Sequence, residues 1–211
     1  AMKDGQAALI KAGTIELKLT PKASEYTPIY YLVGALQGWS DQAKTCMFYP
    51  QSQTVQTYTT QWTGDGNLKI WDENNFGNWN NCIGAATDGD NAASGKLVTS
   101  NAGAIVCPEK GAFYTLKVYF ETMSYTWTKL ENQTPKEFEK IGLIGGFNEW
   151  GGDENMTATA PHNWTAEVTF AADTEVKFRA NGAWDDNWGT DVNVAEQYYG
   201  TGIKNNQNNI K

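Results

Sequence analysis

The chain has 211 residues and a formal net charge of −8, and this acidic balance excludes a nucleic-acid-binding role, which needs clustered Lys and Arg. No run of about 18 apolar residues is present, so no membrane-spanning helix is predicted. The three cysteines form no CxxC pair and only one histidine accompanies them, so we expect reduced, mostly buried thiols and neither a zinc site nor another cofactor.

Short runs in which apolar and polar residues alternate predict β-strands along almost the whole chain. In chain order, the clearest predicted strands are 14–19, 30–33, 114–120 and 125–128. The stretch 85–103 is rich in Gly, Asn, Asp and Ala, which predicts a loop. Almost no segment has helical periodicity, so the sequence predicts an all-β fold, built as a sandwich or a barrel.

The chain contains an internal repeat. Residues 32–39 read Leu-Val-Gly-Ala-Leu-Gln-Gly-Trp and residues 143–150 read Leu-Ile-Gly-Gly-Phe-Asn-Glu-Trp, an offset of 111. A repeat of this length is the size of a domain and far exceeds the repeats of solenoids. We therefore predict two tandem modules, at 25–133 and 134–211. Residues 1–24 are either a lead strand of the first module or the end of a preceding domain.

The second copy is predicted to be incomplete. When Asn78-Trp79 is aligned with Asn187-Trp188, the first copy continues for 51 residues after its tryptophan and the second for only 23. The predicted hairpin at 113–129 then has no counterpart before Lys211. A sandwich that lacks two strands exposes apolar core and a strand edge, so we expect further strands beyond Lys211 or strands from a neighbouring molecule.

One strand and two turns of the second copy carry the residues best suited to bind a ligand. Lys177 and Arg179 alternate with apolar residues on a predicted strand, so both cations would project from its outer face. The turn at 181–182 then presents Trp184, and Trp150 follows a Gly-rich turn. An aromatic face stacks on the C–H face of a pyranose, and Lys or Arg donates hydrogen bonds to its hydroxyls. This combination predicts a sugar-binding platform.

The predicted carbohydrate-binding residues form one set in each copy. In the second copy we expect one exposed cluster of six residues: Trp150, Lys177, Arg179, Trp184, Asn187 and Trp188. In the first copy the corresponding residues are Trp39, Lys69, Trp71 and Trp79. Trp71 stands at the position of Arg179. The first copy is either a second platform or a spacer that does not bind.

The motif Gly-Gly-Phe-Asn-Glu-Trp at 145–150, followed by Lys-Phe at 177–178 and Asn-Gly-Ala-Trp at 181–184, resembles the glycogen- and starch-binding modules. The tandem copies, and Trp-Asp-Asp-Asn-Trp-Gly at 184–189 in particular, are more similar to the SusE/SusF lipoproteins. These are surface α-glucan-binding proteins of the Bacteroidetes outer membrane. The resemblance covers about residues 30–211 and is weaker in the first copy, where Leu-Gln replaces Phe-Asn.

This resemblance implies both a fold and a function. It implies β-sandwich modules of the immunoglobulin-like or starch-binding type, in which Trp150, Lys177 and Trp184 contact an α-glucan. The implied ligand is a polysaccharide or oligosaccharide, and the implied partners are other outer-membrane glycan-uptake proteins. The implied location is the cell surface on the outer membrane, through a lipid anchor outside this chain, or else the periplasm or the extracellular space.

Two other functional classes compete with sugar binding. A glycoside hydrolase needs two carboxylates about 5–10 Å apart across a cleft. Asp185 and Asp186 are adjacent on the chain and would point apart, and no Gly-x-Ser-x-Gly or HExxH motif is present, so we predict that the chain is not an enzyme. A protein-interaction or adhesion module is the alternative function, because exposed aromatic residues also mark protein interfaces.

Overall fold

The structure, a computed structural model, describes residues 7–11, 14–18, 28–190, 202–205 and 208–211, the first two ranges by their backbone alone. Throughout these ranges the regular structure consists of β-strands and three short 3-10 helices, with no α-helix. The predicted all-β fold is thereby confirmed. Nor do the described residues include a helix that is long and apolar enough to cross a lipid bilayer.

The first half begins with a separate hairpin and continues into two sheets. The hairpin pairs β1 (Ala7–Lys11) with β2 (Thr14–Lys18). The remaining strands are β3 (Tyr30–Gly34), β4 (Tyr49–Pro50), β5 (Val55–Gln61), β6 (Asn67–Asp72), β7 (Gly84–Ala85), β8 (Ser94–Val98), β9 (Ile105–Val106), β10 (Phe113–Tyr119) and β11 (Ser124–Lys129). Two 3-10 helices are η1 (Ala35–Gln37) and η2 (Trp79–Asn81). The predicted loop at 85–103 is wrong in part, because β8 lies within it and pairs with β11.

The two sheets of the first half face each other as a sandwich. One has the strand order β4-β5-β10-β11-β8-β7 and the other β3-β6-β9. Along β10, buried residues alternate with half-buried ones, as expected for a strand with one face on a core. The core between the sheets includes Leu32, Ile70 and Leu116. It also holds Trp62 edge to face on Trp127, with ring centroids 4.6 Å apart.

The described residues of the second half form one five-stranded sheet and a hairpin. Its elements are β12 (Ile141–Gly145), the 3-10 helix η3 (Gly146–Asn148), β13 (Glu154–Asn155), β14 (Thr157–Ala160), β15 (Asn163–Thr165), β16 (Val176–Ala180), β17 (Asn187–Gly189) and β18 (Ile203–Lys204). The sheet has the order β13-β12-β16-β17-β18, and the hairpin pairs β14 with β15. The division into two tandem modules and the incompleteness of the second copy stay predictions. So does the role of residues 1–24, most of which, like 191–201, lie outside the described residues.

The hairpin of β14 and β15 packs against the first half. The Thr60 hydroxyl donates a hydrogen bond of 2.8 Å to the carbonyl oxygen of Pro161. Ala160 packs against the core of the first half. The thiol of Cys46, which like the other two cysteines is free and buried as predicted, lies 3.7 Å from the carbonyl oxygen of Thr159. The two halves are therefore in direct contact through this hairpin.

Strand pairing aligns the two halves residue by residue. β3 pairs with β6 so that Tyr31 lies opposite Trp71, and β12 pairs with β16 so that Gly142 lies opposite Arg179. Because Tyr31 and Gly142 are separated by the same offset of 111 as the repeated turns, the two strand pairs share one register. Trp71 and Arg179 thus occupy equivalent positions, as the sequence predicted.

The pairing of the next strand corrects the alignment of the tryptophans. In the first half Ile83 is bridged to the middle of β6, and in the second half Trp188 is paired with the middle of β16. Trp188 therefore corresponds to Ile83, and Trp79 corresponds to Trp184. The alignment of the two Asn-Trp pairs was wrong, because the second half is three residues shorter between the two strands.

Candidate functional site

Each half begins its candidate site at a turn that requires glycine. A Cβ atom on Gly34 would lie 2.2 Å from the carbonyl oxygen of Asn67, and one on Gly145 would lie 2.2 Å from that of Glu175. Any larger residue would therefore push the paired strands apart. The absence of a side chain lets the chain leave the sheet here and enter η1 or η3.

A tryptophan follows each turn in a left-handed backbone conformation. Trp39 has a φ of 58° and Trp150 a φ of 59°, a region that costs a bulky residue on the order of 1–3 kcal/mol. Each tryptophan N–H donates a hydrogen bond of 2.9 Å to the carbonyl oxygen of its turn glycine, Gly34 or Gly145. Strain held at the same place in both halves is typical of a residue whose side chain must point in a fixed direction.

Each of these tryptophans is paired with a second one. In the first tryptophan pair, Trp39 and Trp79, the ring centroids are 6.3 Å apart and the planes are inclined by 36°. In the second tryptophan pair, Trp150 and Trp184, the distance is 6.4 Å and the inclination again 36°. Trp39 is half-buried and the other three are exposed. Two inclined indole faces form a shallow, curved platform that fits the apolar faces of successive rings in a curved sugar chain.

Trp71 supports the first tryptophan pair from below. It is fully buried, and its ring centroid lies 4.5 Å from that of Trp79. Its indole N–H donates a hydrogen bond of 2.9 Å to the carbonyl oxygen of Asn78, so neither its face nor its donor is open to a ligand. The prediction that Trp71 forms part of the exposed platform is therefore wrong. Its bulk instead holds Trp79 in place.

Arg179 supports the second tryptophan pair in the same way. Its guanidinium lies 4.7 Å from the ring centroid of Trp184, a cation–π contact. Arg179 Nε donates a hydrogen bond of 2.6 Å to Asp153 Oδ1, and the two side chains are only 12% and 11% exposed. The predicted outward projection of Arg179 is therefore wrong. The sheet face is covered, and the cation lies beneath the indole beside its counterion.

Lys177 is also buried, contrary to the prediction of an outward cation. Only 6% of it is exposed. Its ammonium donates a hydrogen bond of 3.4 Å to Asn187 Oδ1, and the Asn187 amide donates one of 2.8 Å to the carbonyl oxygen of Trp184. Desolvation by burial lowers the pKa of Lys177. Lys177 and Asn187 therefore act on the second tryptophan pair from beneath, through the backbone of Trp184.

The equivalent lysine of the first half is more accessible. Lys69 is half-buried and lines a groove of about 430 Å³ beside Trp79. Thr99 and Asn101 line the same groove. An ammonium, a hydroxyl and an amide next to an exposed indole are the groups that bind the hydroxyls of a stacked sugar.

Trp188 lies apart from the second tryptophan pair. It is paired opposite Phe178 across β16 and β17, whereas Asn187 is paired opposite Arg179. Directly opposed residues share a face and neighbours alternate, so Trp188 is on the other face of the sheet. There it packs edge to face on Phe138, with ring centroids 5.5 Å apart. The predicted six-residue cluster therefore loses Trp188.

Asp153 is a site residue that was not predicted from the sequence. The sequence does indicate an acidic partner for Arg179, because this residue lies between apolar residues on a strand and a buried guanidinium needs a counterion. Asp153 follows Trp150 closely enough to fold back over the strand. Its Cβ would lie 2.6 Å from a Cβ placed on Gly142, so the glycine makes room for the carboxylate. Sequence alone did not show which of the nearby acidic residues takes this place.

Comparisons with known proteins find relatives that each match more than half of this chain. Residues 4–129 match the family described as "SusF, first starch specific CBM", where CBM denotes a carbohydrate-binding module. Outer membrane protein SusF of Bacteroides thetaiotaomicron is 26% identical over 171 residues, which cover 76% of this chain and 35% of that protein. A crystal structure of SusF from Bacteroides thetaiotaomicron matches with 20% identity and a TM-score of 0.43, over 84% of this chain and 41% of that chain. This chain thus spans about a third of the length of its curated relative.

The family match covers more than half of the chain. It confirms the resemblance to SusE/SusF-type proteins. It also confirms the prediction of a binding module in place of an enzyme. The chain belongs to the family of the first starch-specific carbohydrate-binding module of SusF.

Proposed function

We propose that this chain binds starch-like α-glucan without catalysis, through the first and second tryptophan pairs. The observation that carries the proposal is the agreement of the two pairs. Both stand at equivalent turns, with centroid distances of 6.3 and 6.4 Å and the same inclination of 36°. Membership of a starch-specific family supports an α-glucan as the ligand.

Each half is proposed to bind as one tandem module, 25–133 and 134–211, with residues 1–24 as a lead strand of the first module or the end of a preceding domain. In each module the indoles stack on sugar rings. Lys69 in the first module adds polar contacts, and Arg179 in the second supports Trp184 from beneath. Asn187 and Lys177 position Trp184, and Trp71 positions Trp79. The equivalent geometry supports the first half as a second platform in place of a spacer.

The proposed affinity of one pair is weak. Sugar hydroxyls exchange hydrogen bonds with water for hydrogen bonds with protein at little net gain, so a single platform should bind with a dissociation constant on the order of 10–1000 µM. A polymer that reaches both platforms binds more tightly, because the second contact occurs at a high effective concentration. Weak paired sites suit the retention of a long chain that must later be released.

The proposed location is the outer-membrane surface, because the curated relative is an outer membrane protein. We propose attachment by a lipid anchor outside this chain, and glycan-uptake proteins of the same membrane as partners. The acidic net charge of −8 agrees with a neutral ligand and offers no attraction to anionic polymers.

Calorimetry on the full chain tests this function. Wild type should bind maltoheptaose and amylose but not dextran, and Trp39→Ala/Trp79→Ala and Trp150→Ala/Trp184→Ala should each lose one site. Tyr49→Ala removes an equally exposed aromatic residue from β4 and serves as the matched control. A chain that keeps its amylose binding after removal of both pairs would contradict the site. No binding to any glucan would favour the alternative role in adhesion.

A further inference from the structure

The loop after Trp39 is longer than its counterpart in the second half. Met47 is bridged to Tyr31, and Asn155 pairs with Gly142 at the equivalent position. The chain takes eight residues to run from Trp39 to Met47, and five from the second-half tryptophan to Asn155. Three additional residues are therefore available above the sheet in the first half.

This longer loop forms one wall of a groove beside Trp79. The groove has a volume of about 710 Å³ and lies between the loop residues Asp41, Gln42 and Lys44 and the turn at 76–80. Such a volume is within the usual range of small-molecule sites, about 300–1,000 Å³. Trp79 lines both this groove and the groove beside Lys69. A sugar stacked on Trp79 therefore has neighbouring space on the loop side as well.

The groups that line the groove suit a sugar. Lys44 Nζ stands 5.5 Å from the ring centroid of Phe76 and 5.9 Å from that of Tyr31, so the ammonium is held over an aromatic floor. The Gln42 amide donates a hydrogen bond of 3.0 Å to Asp41 Oδ1. An ammonium, a carboxylate and an amide supply both donors and acceptors for hydroxyl groups.

In the second half an acidic side chain occupies the space that corresponds to this groove. There Asp153 turns inward to Arg179 and lies against Gly142. In the first half Trp71 stands where Arg179 would be, and a buried indole needs no counterion. The acidic residue of the longer loop, Asp41, is therefore not drawn under the platform and lines the groove instead.

We propose that the groove of Asp41, Gln42 and Lys44 binds further glucose units of the α-glucan that stacks on the first tryptophan pair. This inference rests on the proposed function and deepens it. The first half distinguishes long from short α-glucans, whereas the second half, which lacks the longer loop, does so less. The chain thus has one site that selects for long glucans, in the first half, and one that also binds short glucans, in the second half.

The test uses the full chain with the second site removed by Trp150→Ala/Trp184→Ala. Calorimetry then compares maltotriose, which covers the tryptophan pair alone, with maltoheptaose, which reaches the groove. In this background Lys44→Ala and Asp41→Ala should each weaken maltoheptaose binding about fivefold, the effect of roughly one hydrogen bond. Maltotriose binding should change by less than about twofold.

Lys117→Ala is the matched control, because Lys117 Nζ also stands 5.5 Å from an aromatic centroid, that of Tyr119, on another sheet. It should leave both affinities unchanged. Equal losses for the two sugars, or no loss for maltoheptaose, would overturn the groove while leaving the proposed function intact. A background variant that binds neither sugar would overturn the part of the proposed function assigned to the first tryptophan pair, and the groove with it.

Discussion

The ion pair of Arg179 and Asp153 offers the sharpest perturbation of the second half. Its atoms are 2.6 Å apart and the side chains only 12% and 11% exposed, so Asp153→Ala leaves a guanidinium buried without a counterion. Removal of one partner from a buried pair lowers the free energy of unfolding by about 3–5 kcal/mol. The lost charged hydrogen bond accounts for about 1.5–3 kcal/mol of this, and the stranded charge for the rest.

Removal of both charges should lower the free energy of unfolding far less than removal of Asp153 alone. In Asp153→Ala/Arg179→Leu no uncompensated charge is left, so we expect a stability within about 1–2 kcal/mol of wild type. The double variant still loses the cation–π contact under Trp184, in which the guanidinium lies 4.7 Å from the ring centroid. Such a contact stabilises by about 0.5–2 kcal/mol. The indole is then held less firmly, and α-glucan binding by the second half should weaken by about 2- to 30-fold.

Urea unfolding followed by circular dichroism measures the first effect, and calorimetry with maltoheptaose in a Trp39→Ala/Trp79→Ala background measures the second. Glu154→Ala, which removes the exposed neighbouring carboxylate, is the control and should change neither quantity. A loss below about 1 kcal/mol for Asp153→Ala, the size expected of a surface pair, would refute the reasoning. So would a double variant whose loss equals the sum of the single losses.

Three further predictions follow from the geometry of the two halves. Trp71→Ala removes a fully buried indole, so the free energy of unfolding measured in urea should fall by about 3–5 kcal/mol. The same variant should lose α-glucan binding in the first half alone, and retained binding there would contradict the supporting role of Trp71. Gly145→Ala should lower the melting temperature and abolish second-half binding, whereas Gly152→Ala, whose Cβ would meet no atom within 4 Å, should not. The ammonium groups of Lys136 and Lys204 hold the pKa of Asp186 below its ordinary value of 3.8. The stability that they add is therefore present above pH 3.8 and lost as the pH falls through the lowered pKa, and Asp186→Asn should flatten the acid-unfolding curve in that range.

Local features of the site could be predicted from the sequence. The repeated Gly-rich turns located Trp39 and Trp150, because few other segments can bend a chain so sharply after a strand. The turn at 181–182 was also predictable, since Asn181 and Gly182 both adopt the positive φ, 54° and 69°, that such a turn requires. These signals depend only on neighbouring residues, and so the sequence displays them.

Contacts between distant segments could not be predicted in the same way. The alignment of Trp188 with Trp79 depends only on the Asn-Trp dipeptide that both halves contain. Strand pairing is needed to show that Trp188 is equivalent to Ile83. The burial of Lys177 follows from the strand that crosses beside it, where a Cβ on Gly189 would lie 3.2 Å from Lys177 Nζ. Alternation along one strand identifies a face but does not show what covers it.

The hairpin of β14 and β15 constrains how a gene for this chain can be cut and rejoined. It supplies Ala160 to the core of the first half, and its Asn163 amide donates a hydrogen bond of 3.0 Å to the carbonyl oxygen of Thr59. A first half transferred without the hairpin would have Cys46 uncovered, and the hairpin alone would have lost the surface on which it rests. Recombination that moves both halves together preserves these contacts, whereas recombination at the linker destroys them. A fragment that is to keep the packing of the first half must therefore include the hairpin, even though each half has its own pair of tryptophans.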